Sequence, residues 1–179
     1  MTGETVRIAI SGKSGCGNTT VSKLVADALG FTMINFTFRT LSEEKGIEFW
    51  TFCKQAEQTD EYDLEVDRRQ VEMAMAQEHC VLGSRLAIWM LKDADLKIYL
   101  TASSEERARR ITEREGGSLS ERMEQTQRRD ANDSKRYLRL YGIDNSDTSI
   151  ADLVIDTSQL GPEQVADLII AEVHKRDKH

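Results

Sequence analysis

The sequence is poor in proline, cysteine and histidine, with one, three and three of them among 179 residues. Cys16, Cys53 and Cys80 are odd in number and have no metal-ligand spacing, which predicts a reducing compartment and no disulfide framework. The histidines show no ligand spacing either, so we expect no metal site built on them. No apolar run approaches the roughly 18 residues of a membrane span, and the amino terminus lacks a signal pattern. We therefore expect a soluble, cytoplasmic protein.

Net positive charge is also lacking, because 31 acidic residues outnumber 24 lysines and arginines; the formal net charge is −7 and the pI is near 5.1. Such a surface repels phosphate polymers, which argues against a general nucleic-acid binder and against a membrane-surface binder. Local arginines can still attract small anions. The length and the 39% hydrophobic content suit a single globular domain over residues 1–179, which we expect to be a monomer.

A glycine-rich turn at residues 12–17 lies between a short apolar run and a helical pattern. The pattern of a phosphate-binding loop, G-x-x-x-x-G-K-[ST], is met at Gly12, Gly17 and Thr19, but Asn18 stands in the place of the lysine. Glycines allow successive backbone N–H groups to point into one concavity, and the helix that follows adds its positive N-terminal end. The alternative is a glycine-rich turn without a ligand, but the order of strand, loop and helix favours a phosphate site.

Asn18 replaces a full positive charge by a neutral N–H donor, which stabilises transition-state charge less. We hypothesise that Lys13, the second residue of the loop, or an arginine of a lid supplies the missing charge. The hydroxyl of Thr19 is expected to lie near Mg²⁺ bound to nucleotide phosphates. The residues expected to bind the ATP phosphates are Gly12, Lys13, Ser14, Gly15, Cys16, Gly17, Asn18, Thr19 and Thr20.

Five apolar runs alternate with helical patterns along the chain, at residues 6–10, 31–36, 80–85, 96–100 and 152–156. This alternation predicts an α/β fold, namely a doubly wound parallel five-stranded sheet flanked by helices. Two segments depart from the alternation: a helical insertion at about 36–77 and a helical lid at about 114–142. Within the insertion we expect a loop over residues 40–46, a helix over 47–57 and a second helix over 61–77. The inward stripe expected for that helix is Leu64, Val71, Ala74 and Met75.

Arg85 follows an apolar strand and a small-residue turn. In doubly wound sheets the ligand crevice lies at the carboxyl ends of the strands, so Arg85 and the glycine-rich loop should face the same cleft. Residues 63–70 are rich in charge and are equally explained by a solvated helix face. In the predicted lid, residues 122, 125, 129, 133 and 136 share one face, which is explained either by a phosphate clamp or by a salt-bridge ladder.

Taken together, these features resemble the small P-loop nucleoside monophosphate kinases, specifically the archaeal-type cytidylate kinases, over nearly the whole chain. The resemblance implies a P-loop kinase fold and transfer of the γ-phosphate of ATP, with Mg²⁺, to CMP or dCMP. It rests on the phosphate loop, Arg39, Asp67–Gln70, Gly83–Leu86, Trp89, Ala94–Leu100, Arg107–Gly116, Ala131–Tyr137 and Tyr141–Asp144.

The resemblance also implies roles for individual arginines. Arg39 and Arg85 are similar to arginines that hold the monophosphate, and we add Arg68 and Asp133 to that set. Arg129 and Arg136 are similar to the lid residues that contact the transferring phosphate, and with Lys13 they are the expected catalytic residues. Arg110 or Arg114 is expected against the donor base.

Three departures from the family pattern leave alternatives open. Asn18 replaces the loop lysine, Gly83 stands where the family usually has a glutamate, and residues 33–37 differ from the usual small and polar residues. One alternative is a catalytically impaired nucleotide-binding regulatory protein of the same fold. Another is a kinase for a different monophosphate.

Overall fold

A computed structural model of the protein describes residues 5–56 and 58–176. The side chains of Phe49, Trp50 and Cys53 lie outside the described part, as does His179. The expectations about Cys53 and His179 therefore fall outside the description that follows.

The centre of the fold is a five-stranded sheet in which all strands are parallel. Its strands are β1 (Val6–Gly12), β2 (Thr32–Ile34), β3 (His79–Gly83), β4 (Leu96–Thr101) and β5 (Leu153–Asp156). The order across the sheet is β2-β3-β1-β4-β5, so β1 is central and the chain winds outward to both of its sides. The predicted doubly wound parallel sheet is confirmed.

Eight helices surround this sheet in the described part of the chain. They are α1 (Asn18–Leu29), α2 (Phe38–Glu44), α3 (Phe49–Ala56), α4 (Glu61–Met75), α5 (Ala87–Met90), α6 (Ser104–Glu115), α7 (Leu119–Tyr141) and α8 (Pro162–Arg176). Among the described residues, no helix combines the length and the apolar character needed to cross a bilayer.

Both faces of the sheet are covered by apolar layers. Ile8 and Ile10 point to one side, where they pack with residues of α1 and α8, while Ala9 points to the other, toward α4 and α5. All three are fully buried. A central strand buried on both faces is what a short continuous apolar run predicts in a parallel sheet.

The insertion between β2 and β3 has a core of its own and contains one helix more than predicted. Helix α2 occupies most of the segment expected to be a loop, so that expectation is wrong. The side chain of Thr37 accepts a hydrogen bond from the backbone N–H of Thr40, and the hydroxyl of Thr40 accepts one from the N–H of Thr37. This reciprocal cap satisfies the first-turn donors and allows the helix to begin immediately after residue 37.

The inward face of α4 also differs from the expected stripe. Ala74 is buried as expected, but Leu64 and Met75 are exposed and Val66 is buried instead. The inward positions on the same side carry polar residues, Asp63, Asp67 and Gln70. A periodicity search that seeks only apolar side chains misses a face whose polar members are turned inward.

Candidate active site

The glycine-rich loop joins the end of β1 to the start of α1, at the carboxyl edge of the sheet. Gly15 and Gly17 have φ angles of 83° and 89°, in the left-handed region that favours glycine. A Cβ atom at Gly15 would lie 2.7 Å from the backbone oxygen of Arg107. The loop is also fixed from α6, because the guanidinium of Arg107 donates to the backbone oxygen of Ser14 at 3.2 Å and forms a buried ion pair with Asp130 at 2.7 Å.

Eight of the nine residues predicted to bind ATP phosphates line a single cleft of about 480 Å³ over this loop. Cys16 is the exception, since its side chain is buried beneath the loop and burial raises the pKa of its thiol. The opposite wall of the cleft is formed by Arg85, Arg110, Arg114 and Arg129. The cleft is therefore strongly cationic although the whole chain is acidic, which suits a small polyanion.

Arg85 connects the loop to α7, the helix that was predicted to form the lid. Its guanidinium donates to the Oγ atom of Ser14 at 2.9 Å and to a carboxylate oxygen of Asp133 at 2.6 Å. The expected convergence of Arg85 and the glycine-rich loop on one cleft is confirmed. Asp133 is buried and also accepts from Arg136 at 3.1 Å, so one carboxylate fixes two arginines.

Four of the five residues of the predicted lid face, 125, 129, 133 and 136, line a second cavity of about 450 Å³ beside the phosphate cleft, and Arg122 does not. Arg129 borders both cavities, and no ion pair formed among the described residues involves it. Partial desolvation and the charge of Arg85 lower the pKa of Arg129. Arg136 lies 3.4 Å from Asp63, and its Nε atom is buried without a hydrogen-bond partner. Two arginines with unused hydrogen-bonding capacity thus face this cavity.

Each of the two explanations given for the lid helix accounts for a part of it. Arg128 pairs with Glu124 one turn away on the exposed side, as a salt-bridge ladder requires. Residues 125, 129, 133 and 136 line the cavity, as does Arg128, and Arg136 is ion-paired with Asp133 within α7. The ladder therefore accounts for these pairs and not for Arg129, which forms no ion pair among the described residues.

A third cavity, of about 510 Å³, lies on the other side of the loop, between α6 and the segment that follows β5. Arg110 forms part of its wall and donates to the backbone oxygen of Thr157 at 2.6 Å and to that of Gly15 at 3.3 Å. Arg110 borders both this cavity and the phosphate cleft. Arg114 lines the phosphate cleft, and its exposed side chain pairs with Glu115. A place for either arginine against the donor base stays a prediction.

Two arginines expected to hold the monophosphate lie elsewhere. Arg68 is on the exposed side of α4 and pairs with Glu72, so its expected role is not supported by its position. Arg39 is exposed in the first turn of α2 and does not line the three cavities described above. A monophosphate-binding role for Arg39 and Arg68 stays a prediction.

Sequence reasoning missed a carboxylate pair, Asp63 and Asp67, on the inward face of α4. Asp63 lines the second cavity with a side chain only 13% exposed. The hydroxyl of Tyr141 donates to Asp67 at 2.6 Å. Burial raises the pKa of Asp67 to about 6, against the opposing effect of the Tyr141 hydrogen bond. The sequence did contain two signals, the spacing of the two acids by one helical turn and the place of Asp67 in a segment that carries the family resemblance.

The raised pKa of Asp67 predicts a pH dependence of stability. The ordinary value is 3.8 and the folded value about 6, so between these pH values the folded chain keeps a proton that the unfolded chain has lost. This group's contribution to the free energy of unfolding therefore falls as the pH rises through that interval and stays low above it.

Asp67→Asn cannot titrate but still accepts the Tyr141 hydrogen bond. We expect it to raise the free energy of unfolding by about 1–2 kcal/mol at a pH of about 7.5, and to leave it nearly unchanged near pH 4. Urea unfolding at both pH values measures this. Equal pH slopes for the two proteins would show that Asp67 ionises normally in the fold.

The parallel sheet, the loop between β1 and α1 and the arginine-lined cleft define a P-loop kinase. Solved structures with this fold include shikimate kinase from Acinetobacter baumannii, with a TM-score of 0.65 and 17% identity over 96% of this chain and 94% of that one. Deoxyadenosine kinase from M. mycoides aligns with a TM-score of 0.59 and 17% identity, covering 95% of this chain and all of that one. At this identity the likeness concerns the fold alone.

Sequence relatives specify the family more narrowly. The model of the cytidylate kinase-like family matches residues 7–159. Cytidylate kinase 2 from Borrelia garinii subsp. bavariensis is 47% identical over 176 residues, covering 96% of this chain and 98% of that protein. Cytidylate kinase from Pyrococcus horikoshii is 44% identical, covering 95% of this chain and 89% of that protein. The chain belongs to the cytidylate kinase-like family, in agreement with the resemblance seen in its motifs.

Proposed function

We propose that this chain transfers the γ-phosphate of ATP to CMP or dCMP. The observation that carries the proposal is the row of three adjoining cavities of similar volume, in which a cationic phosphate cleft separates the other two. A donor nucleotide and an acceptor nucleotide can enter from opposite ends and meet with their phosphates in the cleft. The names of the relatives support ATP-dependent phosphorylation of a cytidine monophosphate.

On the donor side, the adenine base would occupy the cavity beside Arg110, with its phosphates on the loop. Helix α1 begins at Asn18, so its first N–H groups point toward this site. The described residues contain no cluster of three or more acidic, cysteine or histidine side chains that could hold a metal. The donor set fits Mg²⁺ carried by the nucleotide phosphates, with the Thr19 hydroxyl as its ligand from the protein. When bound, the ion neutralises charge on the phosphates.

On the acceptor side, Arg85 and Arg136 would hold the monophosphate and Asp63 would contact the base. A carboxylate accepts a hydrogen bond from the 4-amino group of cytosine, whereas uracil presents a carbonyl oxygen at that position and is repelled. A site built around such an acceptor discriminates strongly, because the wrong base leaves it unpaired. Asp63 therefore supports cytosine as the preferred base.

In this reaction the protein positions the two nucleotides and stabilises the negative charge on the transferring phosphate. An acceptor phosphate oxygen attacks the γ-phosphorus in line, the bond from that phosphorus to the β–γ bridging oxygen breaks, and ADP leaves. No general base is needed. Lys13 and Arg129, neither of which is ion-paired within the described part of the chain, would neutralise the charge on the transferring group. We further propose that the segment at about 114–142, which contains α7, acts as a lid over the site. Residues at about 36–77 would form the monophosphate-binding insertion of a single cytoplasmic domain.

A second candidate is a nucleotide-binding regulator that has lost turnover. The observation that favours it is the absence of two expected charges, since Asn18 and Gly83 both line the phosphate cleft as neutral residues. Such a protein would bind nucleotides tightly and release no product.

The two candidates are separated by initial rates with ATP and magnesium against CMP, dCMP, UMP, AMP and GMP. We expect CMP or dCMP to exceed every other acceptor in kcat/KM by about a hundredfold or more. We also expect Asp63→Asn to reduce that preference over UMP by about tenfold, because an amide can also donate to uracil. Tight ATP binding by calorimetry without turnover of any acceptor would favour the regulator.

A further inference from the structure

The two neutral residues that depart from the family pattern lie against each other. Gly83, the last residue of β3, faces the first turn of α1, where Asn18 begins the helix. A Cβ atom at Gly83 would lie 3.1 Å from the Oδ1 atom of Asn18. The same Cβ would lie 2.3 Å from the hydroxyl oxygen of Ser22 and 2.9 Å from its Cβ atom. Position 83 therefore has no room for a side chain while Ser22 occupies its present place.

Ser22 is buried within this contact and is not explained by the reaction as described so far. Its side chain is inaccessible to solvent, and its hydroxyl donates to the Oδ1 atom of Asn18 at 3.1 Å, one turn earlier in α1. A buried hydroxyl keeps such a partner because losing it leaves a polar group unsatisfied.

This hydrogen bond determines which end of the Asn18 amide is available to a ligand. Because Oδ1 accepts from Ser22, the Nδ2 group is the end left to bind elsewhere. Asn18 lines the phosphate cleft beside Thr19 and Gly83. The Nδ2 group of Asn18 can therefore donate hydrogen bonds to an anionic phosphate oxygen. The Oδ1 atom, which would repel that phosphate oxygen, is already bonded to the Ser22 hydroxyl.

We propose that Asn18, Ser22 and Gly83 form one unit that takes the place of the loop lysine as a neutral phosphate donor. Asn18 donates to the transferring phosphate, Ser22 is the positioning residue that orients its amide, and Gly83 provides the space that Ser22 needs. Exchanging both expected charges, a lysine and a glutamate, for neutral residues leaves the local charge balance unaltered. The inference rests on the proposed function, because the phosphate that it assigns to Asn18 is that of ATP.

The test is a double-mutant cycle of Ser22→Ala and Asn18→Ala, read as kcat and KM for ATP. We expect Asn18→Ala to lower kcat by about a hundredfold and Ser22→Ala by about tenfold, with KM changed less than kcat in both. In the Asn18→Ala background, Ser22→Ala should cause no further loss, because it acts only through the amide. Losses that multiply would overturn the positioning role.

Two further variants show whether a loss of kcat in the double-mutant cycle reflects the proposed packing or a general loss of protein stability. Thr112→Ala removes a hydroxyl that donates to the backbone oxygen of Ala108 one turn earlier in α6, and should leave kcat unchanged. Gly83→Ala forces Ser22 to move and should lower kcat at least as much as Ser22→Ala. A Gly83→Ala protein with the kcat of the unaltered chain would contradict the proposed packing.

The same cycle measured as ATP affinity by calorimetry separates this inference from the proposed function. If no acceptor is phosphorylated but the two substitutions remain non-additive in ATP affinity, the kinase proposal fails and the Asn18 unit stands. If turnover is normal and the substitutions are additive in both kcat and affinity, the kinase stands and the unit is refuted.

Discussion

Replacing Lys13 by alanine is expected to lower kcat by about 100- to 1,000-fold while leaving the melting temperature nearly unchanged. Lys13 lines the phosphate cleft and takes part in none of the lysine ion pairs formed by the described residues, so its removal frees no buried partner. Its positive charge matters most once the negative charge of the transferring phosphate is concentrated in the cleft. The loss should therefore appear in kcat more than in KM for ATP.

Lys23→Ala is the matched control for this prediction. Lys23 lies on α1, close to the loop in sequence, but it is exposed and paired with Asp27 at 2.7 Å. We expect its kcat to stay within about twofold of the unaltered chain, since exposed pairs of this kind contribute little. Equal rates for Lys13→Ala and Lys23→Ala would mean that the missing charge comes from elsewhere, with Arg129 the next residue to test.

Replacing Arg85 by alanine is expected to lower kcat/KM for CMP by about a thousandfold. Arg85 is the only residue in the described part of the chain that joins Ser14 of the loop to Asp133 of α7 by hydrogen bonds. Its loss removes a phosphate donor and also leaves the buried Asp133 with Arg136 as its remaining partner. KM for CMP should rise while KM for ATP changes little, because the donor phosphates keep their loop contacts.

Arg85→Lys tests whether geometry or charge matters at this position. A lysine keeps the charge but cannot donate from a planar fork to two partners at once. We expect it to recover no more than about a tenth of the lost kcat/KM. Full recovery would show that Arg85 acts as a point charge and that the bridge from Ser14 to Asp133 is incidental.

The sheet could be predicted because its five strands are apolar on both faces. Ile8, Ala9 and Ile10 cannot be placed anywhere but in a buried central strand, and the glycine-rich turn that follows fixes where the site lies. The left-to-right order of the strands was not contained in that pattern. It depends on which strands pair, and residues distant in sequence decide that.

The insertion was harder to predict because its helices are specified by polar residues. Helix α2 depends on a reciprocal hydrogen bond between Thr37 and Thr40, which carries no apolar periodicity. In α4 the inward side is occupied by Asp63 and Asp67, whose burial is unfavourable for the fold alone. A face that lowers stability in this way is typical of a binding site, where local rules of sequence give way to function.

The arginines show the limit of motif matching for the site. Arg85, Arg129 and Arg136 were predicted to be site residues, and they line the same cavity. Arg68 was predicted too, but it lies on the exposed side of α4, where it pairs with Glu72. A motif gives the position of a residue along the chain. One residue of shift along a helix rotates the side chain by roughly 100°, and only the packed structure shows which way it faces.

The most direct test of the account is transfer of labelled phosphate from the γ position of ATP to CMP, measured side by side for the unaltered chain and for Asn18→Lys. The account predicts labelled CDP from the unaltered chain, and a rate for Asn18→Lys no higher than that, because a lysine at position 18 leaves the Ser22 hydroxyl without its acceptor. No labelled product from the unaltered chain, together with turnover by Asn18→Lys, would contradict it. The fold assignment would then remain, and the chain would be a nucleotide-binding protein that lacks the charge its chemistry needs.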